Sequence, residues 1–397
     1  MKAVLTFVLV LVFAPLIGAS TTHRAHIASN YAPYLSEMEE TTQPQHSQPS
    51  TSSLAETAVN VPAESLLFST APTSSSAQSI SSSTLQQDVQ VITCNELVRH
   101  EVAAEIDGHP ICVYEKGDPN AEHTIVLIHG RTWSSLPVFD LKYESAINGD
   151  GVKELVNLST MDQLVANGIR VFAIDLRGFG GTLRDESGWI TPTKAVMDIK
   201  SVICWMKKVK GINTPCLLGW SQGGLVSHLF AQRFPHKISS IIFYASIFDP
   251  KVIHHRTAFL HKPPQPKKMR TTMDMALEDF TLHGSISDEA GYAFGKSALK
   301  ADPIKPDWRN LYEFNDINPA KVAVPSLVIH GDDDPYLVKE GQMGLYAGIS
   351  SSDKCYTIIP GADHCAHLIG AKHAFIHNVV SFVKRPKNNF LTNDGLY

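Results

Sequence analysis

Long apolar runs are nearly absent from this chain of 397 residues; the one that stands out extends from Ala3 to Ile17 and is interrupted by Pro15. A helix needs roughly 18–20 apolar residues to cross a bilayer, so no stable membrane anchor is expected. Met1 and Lys2 precede the run and Gly18, Ala19 and Ser20 follow it, the layout of a secretory signal peptide. The expectation is a signal over residues 1–19, cleaved near Ala19 or Ser20, and a secreted chain. An excess of basic charge is missing too. Asp plus Glu number 39 against 34 Lys plus Arg, a formal net charge of -5. The electrostatic footprint of a nucleic-acid binder is therefore absent.

From 41 to 90 there is no Lys or Arg, Phe68 is the sole aromatic residue, and 20 residues are Ser or Thr. Such a segment offers little apolar area to offset the entropy of ordering. Residues 20–92 are expected to form a Ser/Thr-rich disordered linker or stalk, a composition that O-glycosylated stalks share. Cysteine is scarce, with 6 in the chain, but export makes each a disulfide candidate. Cys94 and Cys112 flank a hairpin with Asp107-Gly108 as its turn, where a bridge would tie the start of the domain to its first strands. Cys355 and Cys365 form a second candidate pair, whereas Cys204 and Cys216 sit in apolar patterns that suit buried free thiols. One glycosylation sequon, Asn157-Leu158-Ser159, requires surface exposure to be used.

After residue 100 short apolar runs alternate with amphipathic stretches: 124–130, 170–175, 215–221, 239–246, 325–331 and 355–361. Buried parallel strands alternating with helices read this way. The clearest helix is Pro192 to Lys210, with Val196, Ile199, Ile203 and Met206 on one face, Thr191 as cap and Gly211 beyond. The pattern predicts an α/β fold, a mostly parallel, doubly wound sheet whose chemistry lies beyond the carboxyl ends of its strands. About 248–318 lacks a strand-like run and is rich in proline, so it is expected to form a helical cap over the sheet. Its stretch 254–270 is locally basic.

The strand at 215–218 leads into Gly219-Trp220-Ser221-Gln222-Gly223, a G-x-S-x-G motif at a strand-to-helix turn. Glycines at 219 and 223 let the backbone close tightly around Ser221 and push its hydroxyl outward. A serine hydroxyl needs a base, and the base needs an orienting acid. Asp332, Asp333 and Asp334 follow one later strand, and His364 follows the next.

These pieces, with His129-Gly130, the segment from Asp175 to Thr182, HGDDDP and PGADH, make residues 93–386 resemble the α/β-hydrolase superfamily, with 387–397 as a C-terminal tail. The resemblance implies Ser221 as nucleophile, Asp334 as acid with Asp333 as runner-up, and His364 as base. His367 matches less well and is expected on the following helix. It also implies an oxyanion hole from the main-chain N–H groups of Arg131 and Gln222. Serine at the elbow argues against the epoxide hydrolases and haloalkane dehalogenases, which carry aspartate there. Trp133 and Trp220, with Leu136 and Phe139, are candidates to line an acyl pocket. The Arg131 side chain is open to a surface ion pair or to an acidic group on a substrate. The function expected is a secreted serine hydrolase acting on small-molecule carboxylic esters through an acyl-enzyme, with no metal or organic cofactor. A peptidase, an acyltransferase and a non-catalytic recognition protein of the same fold remain alternatives. The sequence sets no oligomeric state.

Overall fold

Each of the six apolar runs becomes a strand, and all six join one sheet. The computed structural model describes residues 96–145, 153–256 and 265–386. The expected signal, linker and tail lie outside the described residues, as do Cys94 and 257–264 of the insertion. The strands are β1 (Val98–Ala103), β2 (Pro110–Lys116), β3 (His123–Ile128), β4 (Lys142–Ser145), β5 (Glu154–Asn157), β6 (Ile169–Ile174), β7 (Cys216–Trp220), β8 (Ser240–Tyr244), β9 (Ser326–Gly331) and β10 (Lys354–Ile359). The main sheet runs β1-β2-β6-β3-β7-β8-β9-β10. β1, β2 and β6 pair antiparallel, and from β6 to β10 all neighbours are parallel.

Helices cover both faces, so central strands are apolar on both sides: β6 is buried throughout and Ile125 to Ile128 of β3 are fully enclosed. Each such aliphatic side chain contributes about 1.5–3 kcal/mol. The helices are α1 (Ser135–Phe139), α2 (Thr160–Ala166), α3 (Pro192–Lys210), α4 (Gln222–Arg233), α5 (Met273–Leu277), α6 (Asp288–Ala301), α7 (Lys339–Gly348) and α8 (Lys372–Lys384). α3 has the predicted limits. The Thr191 side chain accepts from Lys194 N, Pro192 opens the first turn, and Gly211 ends the helix at φ +72°, in the left-handed region.

Among the described residues of 245–325, none joins the main sheet; α5 and α6 stand there instead. Asp302, just past α6, ties this region to the sheet. Its carboxylate accepts from Ser134 N and Oγ (both 2.8 Å) and from Gly180 N (2.8 Å). Burial pushes the Asp302 carboxyl up to about 6. Phe294 of α6 meets Trp133 edge-on at 6.5 Å.

Three local expectations need correction. The β1–β2 connection is a loop longer than a two-residue turn: Ala104 N donates to His109 O (2.8 Å), and Asp107 is drawn away to Arg177. Cys112 is a buried free thiol, and its expected partner Cys94 lies outside the described residues; Cys355 and Cys365 are likewise free, the first exposed and the second buried. Cys204 and Cys216 are free as expected, and burial pushes the Cys216 thiol up to about 12. The small sheet of β4 and β5 has no counterpart in the sequence reading, because its strands are short and mostly exposed. Asn157, at the end of β5, is exposed, with its amide donating to Asp162.

Candidate active site

The end of β7 fixes the geometry. Ser221 stands between β7 and α4 at φ +57° and ψ -124°, a conformation that costs a non-glycine residue about 1–3 kcal/mol. The neighbouring glycines explain how the turn closes. A β-carbon on Gly219 would collide with the Gly223 carbonyl, and one on Gly223 would collide with the carbonyls of His129 and Ile128. The elbow thus rests directly on the turn after β3. A β-carbon on Gly130 would lie 3.2 Å from the Ser221 β-carbon.

The acid and the base meet. His364 Nδ1 lies 2.7 Å from Asp334 Oδ2, and both side chains are almost wholly buried. The second Asp334 oxygen accepts from Tyr336 N at 3.0 Å, leaving the carboxylate fixed at both ends. Its neighbours do other work: Asp332 Oδ1 accepts from Gly361 N, and Asp333 is exposed. Of the three aspartates, Asp334 alone reaches the imidazole. Burial by itself would depress the His364 imidazolium, but the charge and hydrogen bond of Asp334, with Asp279 and Asp363 adding their fields, raise it above the ordinary histidine value.

Trp220 joins this pair to the elbow. Its indole N–H donates to the His364 carbonyl at 3.0 Å, and its ring centroid lies 5.2 Å from the imidazole. Tyr336 covers another side of His364 at 4.9 Å and donates its hydroxyl proton to the Glu278 carbonyl in the region between β8 and β9. Asp363 accepts from Thr281 N, Leu282 N and Ser285 Oγ, so the loop carrying His364 is bound to the same region. Sequence reasoning missed Tyr336, Asp279 and this use of Asp363; position 363, adjoining His364 within PGADH, was the available signal. His367 lies in the turn before α8 rather than on a helix, faces the Tyr244 hydroxyl at 2.8 Å, and is pushed by burial down to about 3. It is a neutral core histidine.

The other side of Ser221 carries Arg131 and Gln222. No hydrogen bond from the main-chain N–H of either is found among the described residues, which leaves both donors available. His129 holds the preceding turn: its Nε2 accepts from Leu176 N at 3.0 Å, and burial keeps it neutral by pushing its pKa down to about 4. A cavity of about 350 Å³ borders Arg131 and Gln222, with Leu225, Ile247, Phe248 and Phe314 among its apolar walls. Trp133 and Trp220 do not line it; both are buried in packing, Trp133 against Phe294 and Trp220 against His364. Among the described residues no group of His, Cys, Asp or Glu is placed to hold a metal ion, and no helix is long and apolar enough to cross a membrane.

A family model described as the alpha/beta hydrolase family matches residues 125–374. The chain belongs to the alpha/beta hydrolase family. Among curated relatives, this hydrolase is 28% identical over 246 residues to a monoglyceride lipase of Saccharomyces cerevisiae, covering 55% of this chain and 75% of that one. It is 28% identical over 290 residues to a putative non-heme chloroperoxidase of Synechocystis, covering 67% and 91%. It is also 28% identical over 232 residues to epoxide hydrolase 3 of Xenopus tropicalis, covering 50% and 60%. Solved structures that share the fold include a serine hydrolase involved in carbazole degradation (TM-score 0.50, 17% identity, 72% of this chain and 98% of that one). Another is a 2-hydroxy-6-oxo-6-phenylhexa-2,4-dienoate hydrolase from Rhodococcus (TM-score 0.50, 16% identity, 72% and 98%).

Proposed function

We propose that this alpha/beta hydrolase is a secreted serine hydrolase that cleaves small-molecule carboxylic esters through an acyl-enzyme. The observation that carries the reading is the 2.7 Å bond from Asp334 to His364, held by Trp220 beside a serine at positive φ. In the first half-reaction Ser221 Oγ bonds to the ester carbonyl carbon while His364 takes the hydroxyl proton. The tetrahedral oxyanion is stabilised by the N–H groups of Arg131 and Gln222. The carbon–oxygen bond to the alcohol then breaks, and His364 passes the proton to the departing oxygen. Water repeats the sequence on the acyl-enzyme and releases the acid. Asp334 stays ionised and holds the imidazole in the tautomer that faces the serine.

The region at about 248–318 acts in this reading as a cap that sets substrate size, supported by its ties to the His364 loop through Asp363 and to the sheet through Asp302. Labelling with a fluorophosphonate probe, followed by turnover of esters of graded acyl length, tests the function. Labelling at Ser221 together with ester turnover is the expected result. No labelling at Ser221, or turnover of peptides alone, overturns it.

A further inference from the structure

The basic stretch between β8 and β9 forms two exposed strips. The described residues 249–256 and 265–270 hold Lys251, Arg256, Lys267, Lys268 and Arg270 against one acid, Asp249, in a chain whose net charge is -5. All five basic residues are exposed, and none forms an ion pair among the described residues. The acids around them are engaged elsewhere. Asp249 accepts from the Lys251 main-chain N–H (2.9 Å), Asp307 pairs with Arg184 (2.7 Å), and Glu313 accepts from Thr193 N (2.7 Å). Both strips rest on one segment. His254 N donates to Asn315 Oδ1 (2.9 Å), and the Arg256 guanidinium lies over the Tyr312 ring at 4.6 Å. Lys267 N and Lys268 N donate to Asp307 (3.0 and 3.1 Å), and Lys305 N donates to Met269 O (2.8 Å). This segment, 305–315, turns Trp308 and Phe314 inward, against Phe179 and the core. The strips therefore cover its outer side, and their charges share one face of the molecule. Apolar side chains are interleaved with them: Val252 is 45% exposed, Ile253 68% and Met269 45%.

We propose that this face docks on an anionic lipid surface and holds the protein peripherally at a bilayer. Lysine and arginine reach the headgroup phosphates while their methylene stems lie along the acyl boundary, and Val252, Ile253 and Met269 enter the hydrocarbon between them. A soluble polyanion would satisfy the cations but leave the three apolar side chains in water, so the interleaving of the two kinds of residue favours a lipid. Val252 and His254 also border the cavity beside Gln222, which places the docked face next to the candidate active site. The inference concerns where the protein works and does not depend on the chemistry at Ser221.

The test mixes the protein with vesicles of phosphatidylcholine alone or of phosphatidylcholine containing phosphatidylglycerol, and flotation measures the bound fraction. The anionic vesicles should bind at least about tenfold more tightly than the neutral ones, and binding should fall as added salt screens the charges. The triple variant Lys267→Gln, Lys268→Gln, Arg270→Gln should weaken binding to anionic vesicles about 30- to 100-fold, and Ile253→Ser about tenfold. Denaturant unfolding checks that both variants fold. Equal binding to the two kinds of vesicle, or binding to neither, overturns the proposal. If the triple variant loses binding while Ile253→Ser keeps all of it, and soluble heparin competes fully with the vesicles, the partner is a polyanion and the lipid assignment falls. Should the triple variant fail to fold, the wild-type comparison of the two vesicles together with Ile253→Ser decides. Fluorophosphonate labelling of Ser221 is read separately, so failure to dock leaves the hydrolase reading standing.

Discussion

On one side of Ser221, Asp334, His364, Trp220 and Tyr336 hold one another in place; on the other, Arg131 is exposed and the main-chain N–H groups of Arg131 and Gln222 have no partner among the described residues. The first side has its hydrogen bonds made before any substrate arrives, as a proton relay requires, because a misplaced imidazole loses its geometry with the serine. The second keeps two main-chain donors unbonded, as stabilisation of a charge that develops only during a reaction requires.

Removing the Ser221 hydroxyl should erase the contrast altogether. Ser221→Ala is expected to lower ester turnover by about a million-fold, since no covalent route remains; the kcat of purified, folded variant measures it. Next in size is the relay. Asp334→Asn should cost about 10⁴-fold in kcat, with Asp332→Asn and Asp333→Asn far milder, because neither of those side chains meets the imidazole. If Asp333→Asn were the most damaging, the acid would have to be reassigned. The same pair fixes a pH dependence. Activity needs neutral His364, and Asp334 raises the pKa of the imidazolium, so the acid limb of kcat/KM should lie above the ordinary histidine value of 6.5.

The cavity beside Gln222 should respond differently. Leu225→Phe narrows the cavity and should shift preference toward shorter acyl chains by about tenfold or more per methylene excluded, with the acid limb unmoved. An unaltered chain-length profile would mean that the acyl group lies elsewhere. The smallest effect is expected at Asp302. Asp302→Asn leaves one acceptor oxygen for three donors and should cost about 1–3 kcal/mol of stability, read in denaturant unfolding. The folded state holds the Asp302 proton more tightly than the unfolded chain does. This group's contribution is therefore fully present below about 3.8 and is lost as pH rises through about 6. The variant should lack that part of the pH dependence.

How far the sequence reached follows from what each residue depends on. The run at 124–130 and the helix from Pro192 to Lys210 depend on local periodicity and caps, so the strand could be read to within two residues and the helix to its limits. Ser221 could be read as well, because its glycines lie beside it in the chain. The choice of Asp334 over its neighbours needed the family pattern, since three consecutive aspartates look alike until one of them turns toward His364. The cavity walls were not legible: Leu225, Ile247 and Phe314 come from separate segments whose meeting is decided only by the whole fold. Trp133 was drawn to the pocket by residue type and Trp220 by its place beside the serine, and the packing claims both. The expected Cys355–Cys365 bridge is not formed, because order along the chain says nothing of where two sulfurs point.

The place of β3 in the sheet bears on how quickly the chain can fold. β3 is hydrogen-bonded to β6 on one side and β7 on the other, both well downstream in sequence, and the elbow rests on the turn that follows it. During synthesis β3 emerges early and must wait, with Ile125 to Ile128 uncovered, until both neighbours exist. Closing such distant pairings is slow, so the interval before β7 docks is when this protein is most exposed to aggregation, and when help from a chaperone would matter most.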